Sequence, residues 1–118
     1  MKKILVIDDE PIAGSLIKDF LEGRDYKVFA ATQAKVGLEI AAKEKPDLVF
    51  LDMLMPQIGG MECLQRIKAD SPETIVIILS GLQNEDIAKQ ALALGAYDYI
   101  VKPFNLHAIE NLLARIFQ

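Results

Sequence analysis

Ile4-Leu5-Val6-Ile7-Asp8-Asp9-Glu10 decides the fold: four apolar, strand-favouring residues run straight into three acids. A strand with one wet face alternates apolar and polar residues, so an unbroken apolar run suits a strand buried on both faces of a parallel sheet. Two further runs of this kind follow. Leu48–Leu51 ends at Asp52, and Ile75–Leu79 ends at Ser80-Gly81. Tyr26–Ala30 and Tyr99–Val101 are more mixed, which suits sheet edges, and the second leads into Lys102-Pro103.

Helical patterns fill the gaps. Ile12, Leu16, Ile17, Phe20 and Leu21 form one apolar stripe, ended near Gly23. Val36, Ile40 and Ala41 mark a weaker helix that Pro46 stops. Met61, Leu64 and Ile67 form a third stripe; Ile87, Ala88, Ala91 and Leu92 a fourth, closed by Gly95; and Leu106, Ile109, Leu113 and Ile116 a fifth. The pattern is β-α five times, with short loops and no linker or repeat array. It predicts an α/β fold, a (βα)5 doubly wound flavodoxin-like parallel sheet with strand order 2-1-3-4-5, and residues 1–118 as a single domain. Such a sheet places its ligand beyond the carboxyl ends of the strands, where the order reverses between the first and third.

The 118 residues are 52% hydrophobic, enough for a core without disulfide staples, and Cys63 is the only cysteine. No apolar run reaches the ~18 residues of a membrane span. The opening Met1–Asp8 is too short and too soon acidic for a signal peptide, so a cytoplasmic protein is expected. A net charge of −4 without a basic stripe argues against nucleic acid as a partner.

The chemistry gathers at one edge. Past the central strands come Asp8-Asp9-Glu10, Asp52, Ser80-Gly81 and Lys102-Pro103. Taken singly each has an ordinary reading: Asp9, before Pro11, is a candidate helix cap, and Ser80 or Lys102 a solvated loop residue. Together they demand a cation, because two carboxylates 4 Å apart repel by about 4 kcal/mol at an effective dielectric of ~20. Carboxylate oxygens without His or Cys select Mg²⁺ or a similar hard ion. A carboxylate left over can act as a nucleophile toward phosphorus, with a hydroxyl and an ammonium to meet the charge.

These stretches resemble the receiver (CheY-like) domain of two-component response regulators over the whole chain. The matching segments are Ile4–Glu10, Leu51-Asp52-Met53-Leu54-Met55-Pro56 with Gly60, Ile78–Gly81 and Gly95–Phe104. The resemblance implies that Asp52 accepts a phosphoryl group from a sensor histidine kinase or phosphotransfer protein. It implies Mg²⁺ held by Asp8, Asp9, Asp52 and the Leu54 backbone carbonyl, and Lys102 paired with the phosphate beside a cis bond to Pro103. Ser80 would turn to the phosphate and Tyr99 rotate inward behind it, shifting the surface of the fourth helix, fifth strand and fifth helix. The implied output is a downstream effector domain or protein; a phosphorylation-dependent homodimer through Arg115, Asp98 and the Glu85–Lys89 pair is the alternative to the ordinary reading of these surface charges as solvated. The domain would catalyse only its own phosphorylation and slow dephosphorylation.

Two other classes fit the residues less well. A phosphohydrolase of the haloacid-dehalogenase type carries a second Asp two residues past its nucleophile, where this chain has Leu54. A phosphate-independent interaction module usually lacks one of the key acids or the lysine, and all are present. His107, the sole histidine, reads as an exposed residue of the last helix. Gly59 replaces an Asp common before the loop glycine, and Ser80 replaces the commoner Thr. Leu54 and Leu82, two positions beyond Asp52 and Ser80, flank the path of an attacking water in this family. Two apolar side chains there predict slow hydrolysis, so Leu54→Asn should shorten the lifetime of the phosphorylated protein, followed as decay of the mass adduct.

Overall fold

The computed structural model describes residues 1–55, 58–81 and 85–118. Its elements alternate along the chain: β1 (Lys2–Ile7), α1 (Pro11–Glu22), β2 (Tyr26–Ala31), α2 (Ala34–Glu44), β3 (Leu48–Asp52), α3 (Gly60–Asp70), β4 (Ile75–Ser80), α4 (Glu85–Ala93), β5 (Asp98–Val101) and α5 (Leu106–Ile116). All neighbouring strands pair in parallel, in the order β2-β1-β3-β4-β5 expected from the sequence. Leu82 and Pro56 lie outside the described residues.

The unbroken apolar runs are explained by where their side chains go. Successive residues of a strand point to opposite faces. Leu5, Ile7, Val49, Leu51, Val76 and Ile78 join a core with Cys63, Leu64 and Ile67 of α3 and Ala91 of α4. Ile4, Val6, Leu48, Phe50, Ile77 and Leu79 join the other core with Ile17 and Leu21 of α1 and Ile109 and Leu113 of α5. The three central strands therefore have no wet face, while β2 and β5 keep mixed patterns at the edges.

Helix boundaries follow from local chemistry. Pro11 is the first helical residue of α1, where its missing N–H is no loss. α2 stops at Glu44 because Lys45 takes a left-handed conformation (φ 47°) and Pro46 follows. α4 gives way to Gly95 at φ 107°, a turn that suits glycine.

The stripe expected on α1 is corrected by the structure. Ile17 and Leu21 are buried, but Ile12 is 71% exposed and Leu16 49% exposed. The buried face is completed by Ala13 and Gly14, whose small size lets the helix lie against β1 and β2; a Cβ on Gly14 would sit 3.1 Å from that of Ala30. Val36 and Leu92 also lie outward, and Ala34 and Gly37 make the buried face of α2.

Backbone bonds fix the strand ends. Asp8 N–H donates to Ala31 O (3.0 Å), Met53 N–H to Leu79 O (3.2 Å) and Lys102 N–H to Ser80 O (2.7 Å). Gly60 packs under the end of β3: an added Cβ would lie 2.5 Å from Met53 Cα and 2.7 Å from Asp52 O. Backbone cannot yield as a side chain can. Gly60→Ala should lose about 1–3 kcal/mol of stability in urea unfolding, the usual range for overpacking. Gly59→Ala, with nothing within 4 Å of the new Cβ, should lose almost none.

Candidate functional site

Parallel pairing puts every carboxyl strand end on one edge. Ile7 is level with Leu51, so Asp8 and Asp52 both follow the β1–β3 register there. Asp52 is level with Leu79, and Ser80 with Val101, which brings Ser80 and Lys102 to the same edge. Asp8, Asp52 and Ser80 are buried, whereas Asp9 and Glu10 are exposed.

Lys102 joins these elements. Its Nζ lies 2.6 Å from Asp8 Oδ2, 3.4 Å from Glu10 Oε1 and 3.8 Å from Asp52 Oδ2. The peptide bond from Lys102 to Pro103 is cis. The remaining carboxylate oxygens are held by the loops that carry them. Asp8 Oδ1 accepts from Glu10 N–H (2.9 Å), and Asp52 Oδ1 accepts from Leu54 N–H (3.1 Å). The Leu54 side chain itself is 54% exposed.

Burial pushes the Asp52 carboxyl up, to about 7, against the Leu54 N–H that lowers it; the neighbouring acids Asp8 and Asp9 push the same way as burial, and Lys102 opposes them. For Lys102, burial works against the charge, but Asp8 and then the Asp52 charge prevail and hold its pKa above the ordinary lysine value. Each ion thus depends on the other sign being present.

The donor set fits a hard cation. One carboxylate oxygen from each of Asp8, Asp9 and Glu10 can be chosen so that all lie within 4.8 Å of one another. Asp8 Oδ2 is buried and, among the described residues, is met by the Lys102 ammonium at 2.6 Å and by no further donor. A buried, half-satisfied carboxylate among hard oxygens is what Mg²⁺ would complete.

Most expected site residues meet here. Asp8, Asp9, Asp52, Ser80, Lys102 and the Leu54 backbone converge on this edge. Tyr99 does not; it sits on edge strand β5, 40% exposed. Asp9 does not cap α1, because Glu10 is the capping residue and gives no side-chain cap. The sequence left Glu10 without a role of its own, yet it touches Lys102. The available signal was its place between two acids and a proline that removes a donor at the first helical position. Beside Lys102 a recess of about 450 Å³ opens, lined by Glu10, Ile12, Leu16, Gly81 and Phe104 among others. Among the described residues no helix is long and apolar enough to cross a membrane.

The response regulator receiver domain family matches residues 4–114. The transcriptional regulatory protein CrdR of Helicobacter pylori is 37% identical over 98% of this chain and 55% of its own. The chemotaxis protein CheY of Listeria monocytogenes is 36% identical over 98% of both chains. The chain thus spans about half the length of the first and nearly all of the second. A receiver domain protein (CheY-like) from Methanospirillum hungatei has the same fold, with a TM-score of 0.94 and 28% identity over 98% of this chain and 93% of that one.

The Asp52 carboxyl gives the metal-free protein a pH-dependent contribution to stability. Its folded pKa, about 7, lies above the 3.8 of a free aspartate side chain, so between these values the folded state binds the extra proton. Its contribution to stability is full below about pH 4 and is lost as pH rises through 7. In EDTA, the melting temperature of wild type relative to Asp52→Asn should fall by several degrees between pH 5 and pH 8.

Proposed function

The chain belongs to the response regulator receiver domain family, whose members act as phosphoacceptor switches between histidine kinases and effectors, and from that premise we propose that Asp52 is the phosphoacceptor here. The observation that carries the reading is Lys102: one ammonium from the end of β5 lies 2.6 Å from a carboxylate after β1 and 3.8 Å from the carboxylate at the end of β3. Stability alone gives no reason to gather these charges.

In this reading an Asp52 oxygen attacks phosphorus, forming a new O–P bond. The donor's bond to phosphorus breaks, and the donor leaves with the electron pair. Asp8, Asp9, Asp52 and the Leu54 carbonyl would hold Mg²⁺, which when bound offsets negative charge on the transferring group. Lys102 offsets more of it, and Ser80 donates its hydroxyl to a phosphoryl oxygen. The low-dielectric setting that raises the Asp52 pKa also strengthens each of these contacts.

The output is a change of population between two pre-existing arrangements. We read Ser80 and Tyr99 as the switch pair: Ser80 moves toward the phosphoryl group and the exposed Tyr99 turns inward behind it. The surface of α4, β5 and α5 shifts with them. The donor is the phosphohistidine of a sensor kinase or phosphotransfer protein, and the receiver of the signal an effector domain, an effector protein or a second copy of the chain. We place the whole chain, residues 1–118, in one such cytoplasmic domain, with no activity beyond its own phosphorylation and dephosphorylation.

Intact mass after incubation with acetyl phosphate and Mg²⁺ tests the core of this reading. Wild type should gain one phosphoryl group, and should gain none without Mg²⁺. Asp52→Asn should gain none in either condition. An adduct that persists in Asp52→Asn would move the acceptor elsewhere.

A further inference from the structure

Glu10 is out of place for an ordinary surface acid. It stands at the N-cap of α1, yet its carboxylate makes no capping bond, and Pro11 leaves the first helical position without an N–H. Its side chain is 71% exposed but Oε1 still reaches back to 3.4 Å from Lys102 Nζ. Its own N–H is fixed by Asp8 Oδ1 at 2.9 Å, so the loop that aims the side chain is anchored in the site.

The ammonium sits unevenly among its three acids. Asp8 and Glu10, both from the β1–α1 loop, lie nearer to Nζ than Asp52 does. Asp8 is buried and fixed; Glu10 is the partner that can be removed without emptying the interior.

We propose that Glu10 is a positioning residue: it tethers the Lys102 ammonium on the β1 side of the site and so slows phosphoryl uptake by Asp52. This rests on the reading of Asp52 as acceptor. For Lys102 to meet an incoming phosphoryl group on Asp52, Nζ must leave the β1 loop, and the tether opposes that move. An exposed ion pair is weak, so the brake is a modest one.

Two substitutions separate tether from charge. Glu10→Gln removes both. Glu10→Asp keeps the charge, but the shorter side chain has the length that caps a helix and turns to the α1 backbone instead of Lys102. With acetyl phosphate and Mg²⁺, both variants should take up a phosphoryl group about 2- to 5-fold faster than wild type, the ratio an exposed ion pair of ordinary strength represents. In metal-free protein labelled at lysine, the NMR order parameter of Lys102 Cε should fall in both. Mg²⁺ affinity by calorimetry should fall less than about tenfold in Glu10→Gln, the change expected from losing a nearby charge but no ligand.

Other outcomes overturn the tether. Uptake in Glu10→Asp equal to wild type, with only Glu10→Gln faster, would make Glu10 a charge at the mouth of the site. A tenfold loss of Mg²⁺ affinity in Glu10→Gln would make it a metal ligand. An unchanged Lys102 order parameter in both variants would remove the tether outright. If wild type takes up no phosphoryl group, the reading of Asp52 falls instead, and the order parameter alone decides whether Glu10 holds Lys102.

Discussion

Two carboxylates that must share a nearly dry space, and one ammonium that makes this tolerable, organise the molecule. Asp8 and Asp52 are brought together because β1 and β3 run parallel and in register, so neither can withdraw without breaking the ladder. Burial raises the proton affinity of Asp52, and the Lys102 ammonium answers part of that strain from the end of β5. A site built this way holds electrostatic free energy ready for a cation, because the two carboxylates are fixed before it arrives.

The rest of the fold serves that fixation. The central strands are dry on both faces, so their backbones are held by two cores at once. Gly60 lets the chain after Asp52 fold back against Met53, closing the β3 end tightly. Backbone bonds from Asp8, Met53 and Lys102 to neighbouring strands anchor the base of each functional side chain. Positions set by strands are more precise than positions set by loops, and here Asp52, Ser80 and Asp8 all sit on or directly after strands.

The face opposite to this rigidity is α1. Its outward Ile12 and Leu16 flank the recess beside Lys102, next to the exposed Glu10. Large apolar residues at helical spacing normally mark the core face, yet here the helix turns its small residues inward. The side chains of Val6 and Ala30 stand directly under α1, and the helix approaches them closely because it presents the small Ala13 and Gly14 there. Hydrophobic periodicity registers large side chains and passes over small ones, so it extends the buried stripe to Ile12 and Leu16, which face outward.

Sequence alone determined the number and order of the strands, because a double-sided burial leaves unbroken apolar runs and an edge leaves mixed ones. It also determined which residue types meet at the carboxyl edge, since parallel pairing sends every strand end the same way. Tertiary structure decided what those residues do to one another. Only three-dimensional packing places the Lys102 ammonium closer to Asp8 than to Asp52, brings the exposed Glu10 within reach of it and leaves Tyr99 on the surface. The physical reason is one of scale: burial patterns are written in periodicity along the chain, whereas an ion pair depends on distances of a few ångströms between side chains far apart in sequence.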